Sequence, residues 1–127
     1  VLINLTGITR FNILDEKKND KLYREFKVDY KKFENDSVKI IEKIDIFELI
    51  EKAKIFFKRN GLMLNWKEFE RLDQAQRINT LAMISPVTNE EKQKILESVT
   101  LSEKVQSLEN IISFYLHEVN FNNQTMQ

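Results

Sequence analysis

The spacing of apolar residues changes near residue 40. Before it, apolar and polar residues alternate, which is typical of strands with one buried face. Residues 2–4 and 9–14 predict two short strands around Gly7, and residues 23–30 predict a third after a charged loop at 15–21. Three strands leave one edge and one face uncovered, so we expect further strands upstream of Val1 and take the chain to be a fragment.

After residue 44 the apolar residues recur with helical spacing. Each helix start shows a capping box, in which a short polar side chain accepts from a free backbone N–H and a Glu or Gln three residues later bonds back. The five pairs are Asp45 and Glu48, Asn65 and Glu68, Asp73 and Gln76, Thr88 and Glu91, and Thr100 and Glu103. They predict helices over 46–59, 66–71, 74–84, 89–98 and 101–118.

The two patterns predict an α+β fold with a division along the chain. Residues 1–35 form a partial β subdomain of three strands, and residues 36–43 form a linker. Residues 44–119 form a helical subdomain of about five helices. The polar residues 120–127 form a disordered tail, because they offer little to pack.

Charge and composition exclude several classes of function. Twenty basic residues balance 20 acidic ones, and the balance holds locally, with seven of each sign in residues 15–36. Nucleic acid and anionic membranes need a field of one sign, so we expect neither as a partner. No apolar run is long enough to span a membrane, and no signal peptide opens the chain. With no cysteine, the chain suits a reducing, cytoplasmic location.

No catalytic, cofactor or metal site is expected. The two glycines, Gly7 and Gly61, are too few and too far apart for a phosphate-binding loop. Ser102 and Lys104 lie two positions apart on a helix and point to different faces, which disfavours a Ser–Lys dyad. The single histidine, His117, lies near a helix C-terminus, where it complements the helix dipole.

Aromatic residues in the helical half are candidates for peptide binding. Phe56 and Phe57 are 100° apart on a helix and cannot both point fully inward. With Met63 and Trp66, one of them would form an exposed apolar patch that binds unfolded segments. The alternative is that these side chains seal the joint between two helices.

Arg10 and Phe11, at a predicted strand edge, are the second candidate. An extended peptide could add to this edge by β-augmentation. The alternative is that the same surface pairs with upstream strands.

The helical half resembles the second half of the Lon substrate-binding (amino-terminal) domain, and is similar above all to stand-alone bacterial proteins built from that domain. Trp66 after a Gly-containing turn carries the resemblance, together with an N-x-L-A step at 79–82 and E-K-Q-x-I-L-E at 91–97. Upstream, L-T-G-I-T-R-F-N-I at 5–13 resembles a late strand of the family, and residues 23–28 resemble the strand after it.

This resemblance implies a PUA-like β subdomain followed by a helical bundle, here without its first strands. In full Lon proteases the domain precedes an ATPase and a serine–lysine protease, both absent from this sequence, and helps to capture substrates. We therefore expect a non-enzymatic module that recognises unfolded or degron-bearing polypeptides, with a protease as a further partner.

Three alternatives remain open. The chain could act only within an ATP-dependent Lon-type serine peptidase. It could bind RNA, as some PUA-like folds do, although its charge balance disfavours this. It could also form a homodimer through its open strands.

Overall fold

A computed structural model describes residues 1–38 and 43–125 of the chain, the last seven of these as backbone only. The chain divides into two compact units, Val1–Glu42 and Lys43–Gln127. The boundary falls within the range 36–43 that the sequence predicts as a linker, of which residues 39–42 lie outside the described residues. Strands occur in the first unit and α-helices in the second, so the α+β fold class is confirmed.

The first unit contains an antiparallel hairpin of β1 (Asn12–Lys17) and β2 (Glu25–Asp29), followed by a 3₁₀ helix at Lys31–Ser37. The prediction of three strands was wrong for the described residues, because residues 2–4 form no strand. The loop predicted at 15–21 starts later, since β1 continues to Lys17. Opposite charges explain this extension: Asp15 lies across from Lys27, and Lys17 from Glu25.

The described residues of the second unit form five α-helices. They are α1 (Phe47–Arg59), α2 (Trp66–Glu70), α3 (Gln74–Ile84), α4 (Asn89–Leu96) and α5 (Leu101–Thr125). Helix α5 contacts α1, α3 and α4 and is the central element of this unit. Gly61, with a φ of 69°, turns the chain after α1.

Helix capping follows the predicted pattern at four of the five starts. At α3 the full box is present: the Gln76 amide donates to Asp73 Oδ1 at 2.8 Å, and the Asp73 amide donates to Gln76 Oε1 at 3.1 Å. Asn65, Thr88 and Thr100 likewise accept from the backbone N–H three residues on. The exception is Asp45, which accepts from the Phe47 amide, not from Glu48, at 3.0 Å.

The core of the helical unit is one apolar cluster to which all five helices contribute. Leu49, Ile78, Leu81, Leu108 and Ile112 have no exposed surface. Leu108 and Ile112 lie four residues apart on α5 and therefore share one face of that helix. The same face carries Val105 one turn earlier, so α5 buries a continuous stripe.

The end of the chain differs from its prediction. Residues 120–127 were expected to form a disordered tail, but α5 continues as helix to Thr125. No glycine or proline occurs after residue 100 to stop it. The last two residues, 126 and 127, lie outside the described residues.

Replacing Leu108 with alanine should lower the free energy of unfolding by about 2–5 kcal/mol, because the cavity would lie in a closely packed core. Phe114→Ala is the matched control, since Phe114 lies on the same helix and is 64% exposed. It should change the stability by about 0.5 kcal/mol or less. Urea unfolding followed by far-UV circular dichroism measures both values, and equal losses would contradict the assigned core.

Candidate functional site

Phe56 and Phe57 do not form the exposed patch that the sequence suggested. Both are buried, with 4% and 2% of their surface exposed. The expectation that they could not both point inward was wrong because α1 has neighbours on two sides. Phe56 packs on Tyr115 of α5 at 5.4 Å between ring centroids, and Phe57 stacks on Trp66 of α2 at 6.0 Å.

Trp66 and Met63 have different environments. Trp66 is half-buried against the core and meets Phe69 edge to face at 5.2 Å, so it seals the joint between α1 and α2. The Lys54 ammonium lies 5.5 Å from the centroid of the Trp66 ring. Met63 is fully exposed in the connection between the two helices. Of the four helical candidates, only Met63 is fully open to solvent.

Arg10 of the first unit is held by a carboxylate. Its Nε and Nη2 atoms donate to Asp36 at 2.8 and 2.7 Å, and its backbone amide donates to the same carboxylate at 2.9 Å. The guanidinium also lies 4.4 Å from the ring centroid of Phe33, which is only 4% exposed. The Thr9 hydroxyl donates to the Phe33 carbonyl. Arg10 therefore fastens the entry to β1 onto the 3₁₀ helix.

Phe11 belongs to an exposed apolar surface on one side of the hairpin. Ile13 lies opposite Val28. Phe26 and Tyr30 are each two residues from Val28 along the chain and therefore lie on the same side of the strand. Phe11 meets Tyr30 edge to face, with 6.0 Å between the ring centroids. We call these five residues the hairpin face. Four of them are well exposed: Ile13 by 62%, Tyr30 by 52%, Phe11 by 47% and Phe26 by 37%.

The opposite side of the hairpin is charged. It carries the cross-strand pairs of Asp15 with Lys27 and Lys17 with Glu25. The hairpin therefore has one charged side and one mainly apolar side. At the end of the apolar side Glu16 lies opposite Phe26, and the Arg24 guanidinium lies 5.1 Å from the Phe26 ring centroid. The alternation at 23–30 indicated this pattern in the sequence, and the small number of predicted strands indicated that one face would be left uncovered.

Asp36 could not be identified from the sequence as the partner of Arg10. The two residues are 26 positions apart, and Asp36 lies in a region with seven carboxylates to choose from. Arg10 and Asp36 can be recognised as a pair only from the folded structure, which brings them together. The sequence also predicted Arg10 as a contact residue for peptides, whereas its charged group is occupied by Asp36 and Phe33.

Lys104, the lysine considered for a Ser–Lys dyad, makes a structural contact, and so does the capping residue Glu91. Lys104 Nζ donates to Asn79 Oδ1 at 2.9 Å and so joins α5 to α3. Glu91 accepts from the Tyr115 hydroxyl at 2.8 Å and joins α4 to α5. This hydrogen bond, together with burial, raises the pKa of Tyr115 above its ordinary value.

The described residues show neither a metal-ligand cluster nor a membrane-spanning helix. They contain no group of three or more carboxylate or imidazole side chains placed to hold a metal ion. None of the described helices combines the length and apolar character needed to cross a membrane.

Comparison with known proteins gives one family. The model of the ATP-dependent protease La (LON) substrate-binding domain matches residues 1–113. Neither the curated proteins nor the solved structures contain a match to the chain.

Replacing Arg10 with alanine should loosen the first unit, because it removes two charge-assisted hydrogen bonds and the stacking on Phe33. We expect a loss of about 1–3 kcal/mol in local stability, measured as faster amide hydrogen exchange in β1. Arg24→Ala is the control, since Arg24 pairs with Glu16 in an exposed position and should matter little. Similar exchange rates in both variants would argue against the fastening role of Arg10.

The pKa of Tyr115 should lie above that of an unfolded tyrosine, and phenolate absorbance follows its ionisation directly as the pH rises. Its raised pKa means that the fold favours the neutral phenol. The resulting stability is complete below the pKa of an unfolded tyrosine and is lost as the pH rises through the folded value. Glu91→Ala should lower the Tyr115 pKa, whereas Glu90→Ala, one residue away, should not. A pKa unaffected by Glu91→Ala would rule out the hydrogen bond as its cause.

Proposed function

Because the chain belongs to the ATP-dependent protease La (LON) substrate-binding domain family, we propose that it is a non-catalytic module that binds polypeptide substrates. Its proposed ligands are unfolded or degron-bearing segments with exposed apolar side chains. Family membership supports a role in recognition, and the hairpin face supplies the surface on which we place it.

The hairpin face is the observation that carries this proposal. Exposed apolar surface that is contiguous, and not scattered, is typical of binding sites. Here aromatic rings and one aliphatic side chain share one side of a two-stranded sheet: Phe11, Phe26, Tyr30 and Ile13. An unfolded segment offers the complement, since its apolar side chains are exposed to water until something covers them.

Arg10 acts in this proposal as a positioning residue. Its guanidinium is committed to Asp36, so it does not supply a free charge for an acidic ligand. By fastening the chain just before Phe11, it fixes where that ring enters the hairpin face. The ligand is therefore selected by apolar contact more than by charge.

Among the candidate residues, the helical unit exposes less apolar surface to such a ligand than the hairpin face does. Phe56 and Phe57 are buried, and Trp66 is half-buried under Lys54. Met63 remains as a single exposed side chain, with Leu62 beside it 42% exposed. We assign Met63 no primary role and use it as a comparison residue.

The second candidate is action within an ATP-dependent peptidase, which the description of the family itself favours. In that case the module would capture substrates and deliver them to ATPase and protease domains supplied from elsewhere. Both candidates share the recognition step. They also share a proposed partner, an ATP-dependent protease, and a proposed cytoplasmic location.

Binding can be tested with a fluorescein-labelled polypeptide that is rich in Phe, Leu and Ile and permanently unfolded. Anisotropy should rise on addition of the 127-residue chain. The double variant Phe11→Ser, Phe26→Ser should weaken binding by about tenfold or more, the usual cost of removing central aromatic contacts.

Two control variants give this experiment its contrast. Phe114→Ser removes an equally apolar side chain that is 64% exposed on α5, and Met63→Ser tests the connection after α1. Both should bind as the parent chain does. Absence of binding by the parent would overturn the proposed recognition, and a loss confined to Met63→Ser would move the site to the helical unit.

A further inference from the structure

The turn that ends α1 contains Asn60 followed directly by Gly61, and both residues are exposed. The carboxamide carbon of an asparagine lies within reach of the backbone nitrogen of the next residue, which can attack it and close a cyclic imide. Glycine as the next residue leaves that nitrogen unhindered, because glycine has no Cβ. No other asparagine in the chain is followed by glycine.

The folded turn keeps the two reacting groups apart. A ψ of 7° at Asn60 places the Gly61 nitrogen beside the backbone nitrogen of Asn60, whereas ring closure needs it beside Cβ. The Asn60 carboxamide is also held, since its Nδ2 donates to the Phe56 carbonyl at 2.8 Å. The Gly61 amide donates to the Lys58 carbonyl at 3.2 Å. Both hydrogen bonds must open before the nitrogen can reach Cγ.

The rotation that ring closure requires would also undo the end of α1. It turns the bond between Cα and the carbonyl carbon of Asn60 and carries the following residues with it. The Leu62 amide donates to the Phe57 carbonyl at 2.9 Å, and the rotation would break this bond as well. The reaction therefore depends on local opening of the turn, as occurs at the ends of helices.

We propose that Asn60–Gly61 is a site of spontaneous modification, which the folded end of α1 protects. When the turn opens, the Gly61 nitrogen gives its proton to water and bonds to Cγ of Asn60. The bond from Cγ to Nδ2 breaks, and the departing nitrogen takes up a proton and leaves as ammonia. A water molecule then opens the imide at either of its carbonyl carbons, which leaves aspartate or isoaspartate at position 60. Water is the only co-reactant.

The modification would weaken the turn that prevents it. The product carries a carboxylate in place of the Asn60 amide, so the donor to the Phe56 carbonyl is lost. A negative charge at the C-terminus of α1 also opposes the helix dipole. Isoaspartate in addition lengthens the backbone within the turn. The product is not converted back, so its amount records the time that the end of α1 has spent open.

Peptide mapping by mass spectrometry tests this inference on the 127-residue chain, incubated in mildly alkaline buffer with and without denaturing urea. Asn60 should react at least about tenfold more slowly in the folded chain than in the unfolded one, because several hydrogen bonds must open first. A synthetic peptide of residues 58–64 in the same two solutions corrects for the effect of urea on the chemistry. Equal corrected rates would overturn the proposed protection.

Asn65 is the internal control, because it lies in the same tryptic fragment, 60–67, and precedes Trp66. Fragmentation of this peptide locates the change of NH2 to OH on one asparagine or the other. In urea, Asn60 should be modified while Asn65 remains intact. Modification of both at similar rates would show that Gly61 does not direct the reaction.

Two substitutions test the effect of the product. Asn60→Asp and Asn60→Ala both remove the donor to the Phe56 carbonyl, but only Asn60→Asp adds a charge. The Leu62 amide should exchange its hydrogen about twofold or more faster in Asn60→Asp than in Asn60→Ala, since only the carboxylate opposes the helix dipole. Both variants should retain the circular dichroism of the parent. Equal exchange in the two variants would contradict the proposed weakening of the turn.

Discussion

The packing of α5 against its neighbours is the interaction on which the helical unit depends. Its apolar stripe of Val105, Leu108 and Ile112 meets side chains from the other helices in one cluster. The capping boxes determine where the helices begin, but each is worth only about 1 kcal/mol. Burial of the stripe supplies more, and it requires the helices to lie around α5.

How much of the fold the sequence revealed depended on how local the signals were. Capping pairs are three residues apart, so four of the five helix starts were read correctly. The strands depended on distant partners: β1 extends to Lys17 because Glu25 lies opposite, and residues 2–4 form no strand with any residue that the structure describes. Charged residues at 15–17 look like a loop until their cross-strand partners are known.

The candidate site was predictable only in part, for the same reason. Phe11 was identified from the strand pattern and lies on the hairpin face, whereas Arg10 beside it is committed to Asp36, 26 residues away. From the sequence, only one of Phe56 and Phe57 was expected to lie on the buried face of α1. A helix with neighbours on two sides can bury both, and the sequence of α1 alone does not show how many neighbours it has.

Trp66 is the only tryptophan in the chain, and it stacks on Phe57 within the helical unit. The hairpin has only tyrosines as intrinsic fluorophores, Tyr23 and Tyr30. Indole emission therefore reports on the packing of α1 and α2 in the second unit. The molecule thus carries a built-in optical means of distinguishing loss of its helical half from loss of its strands, without any added label.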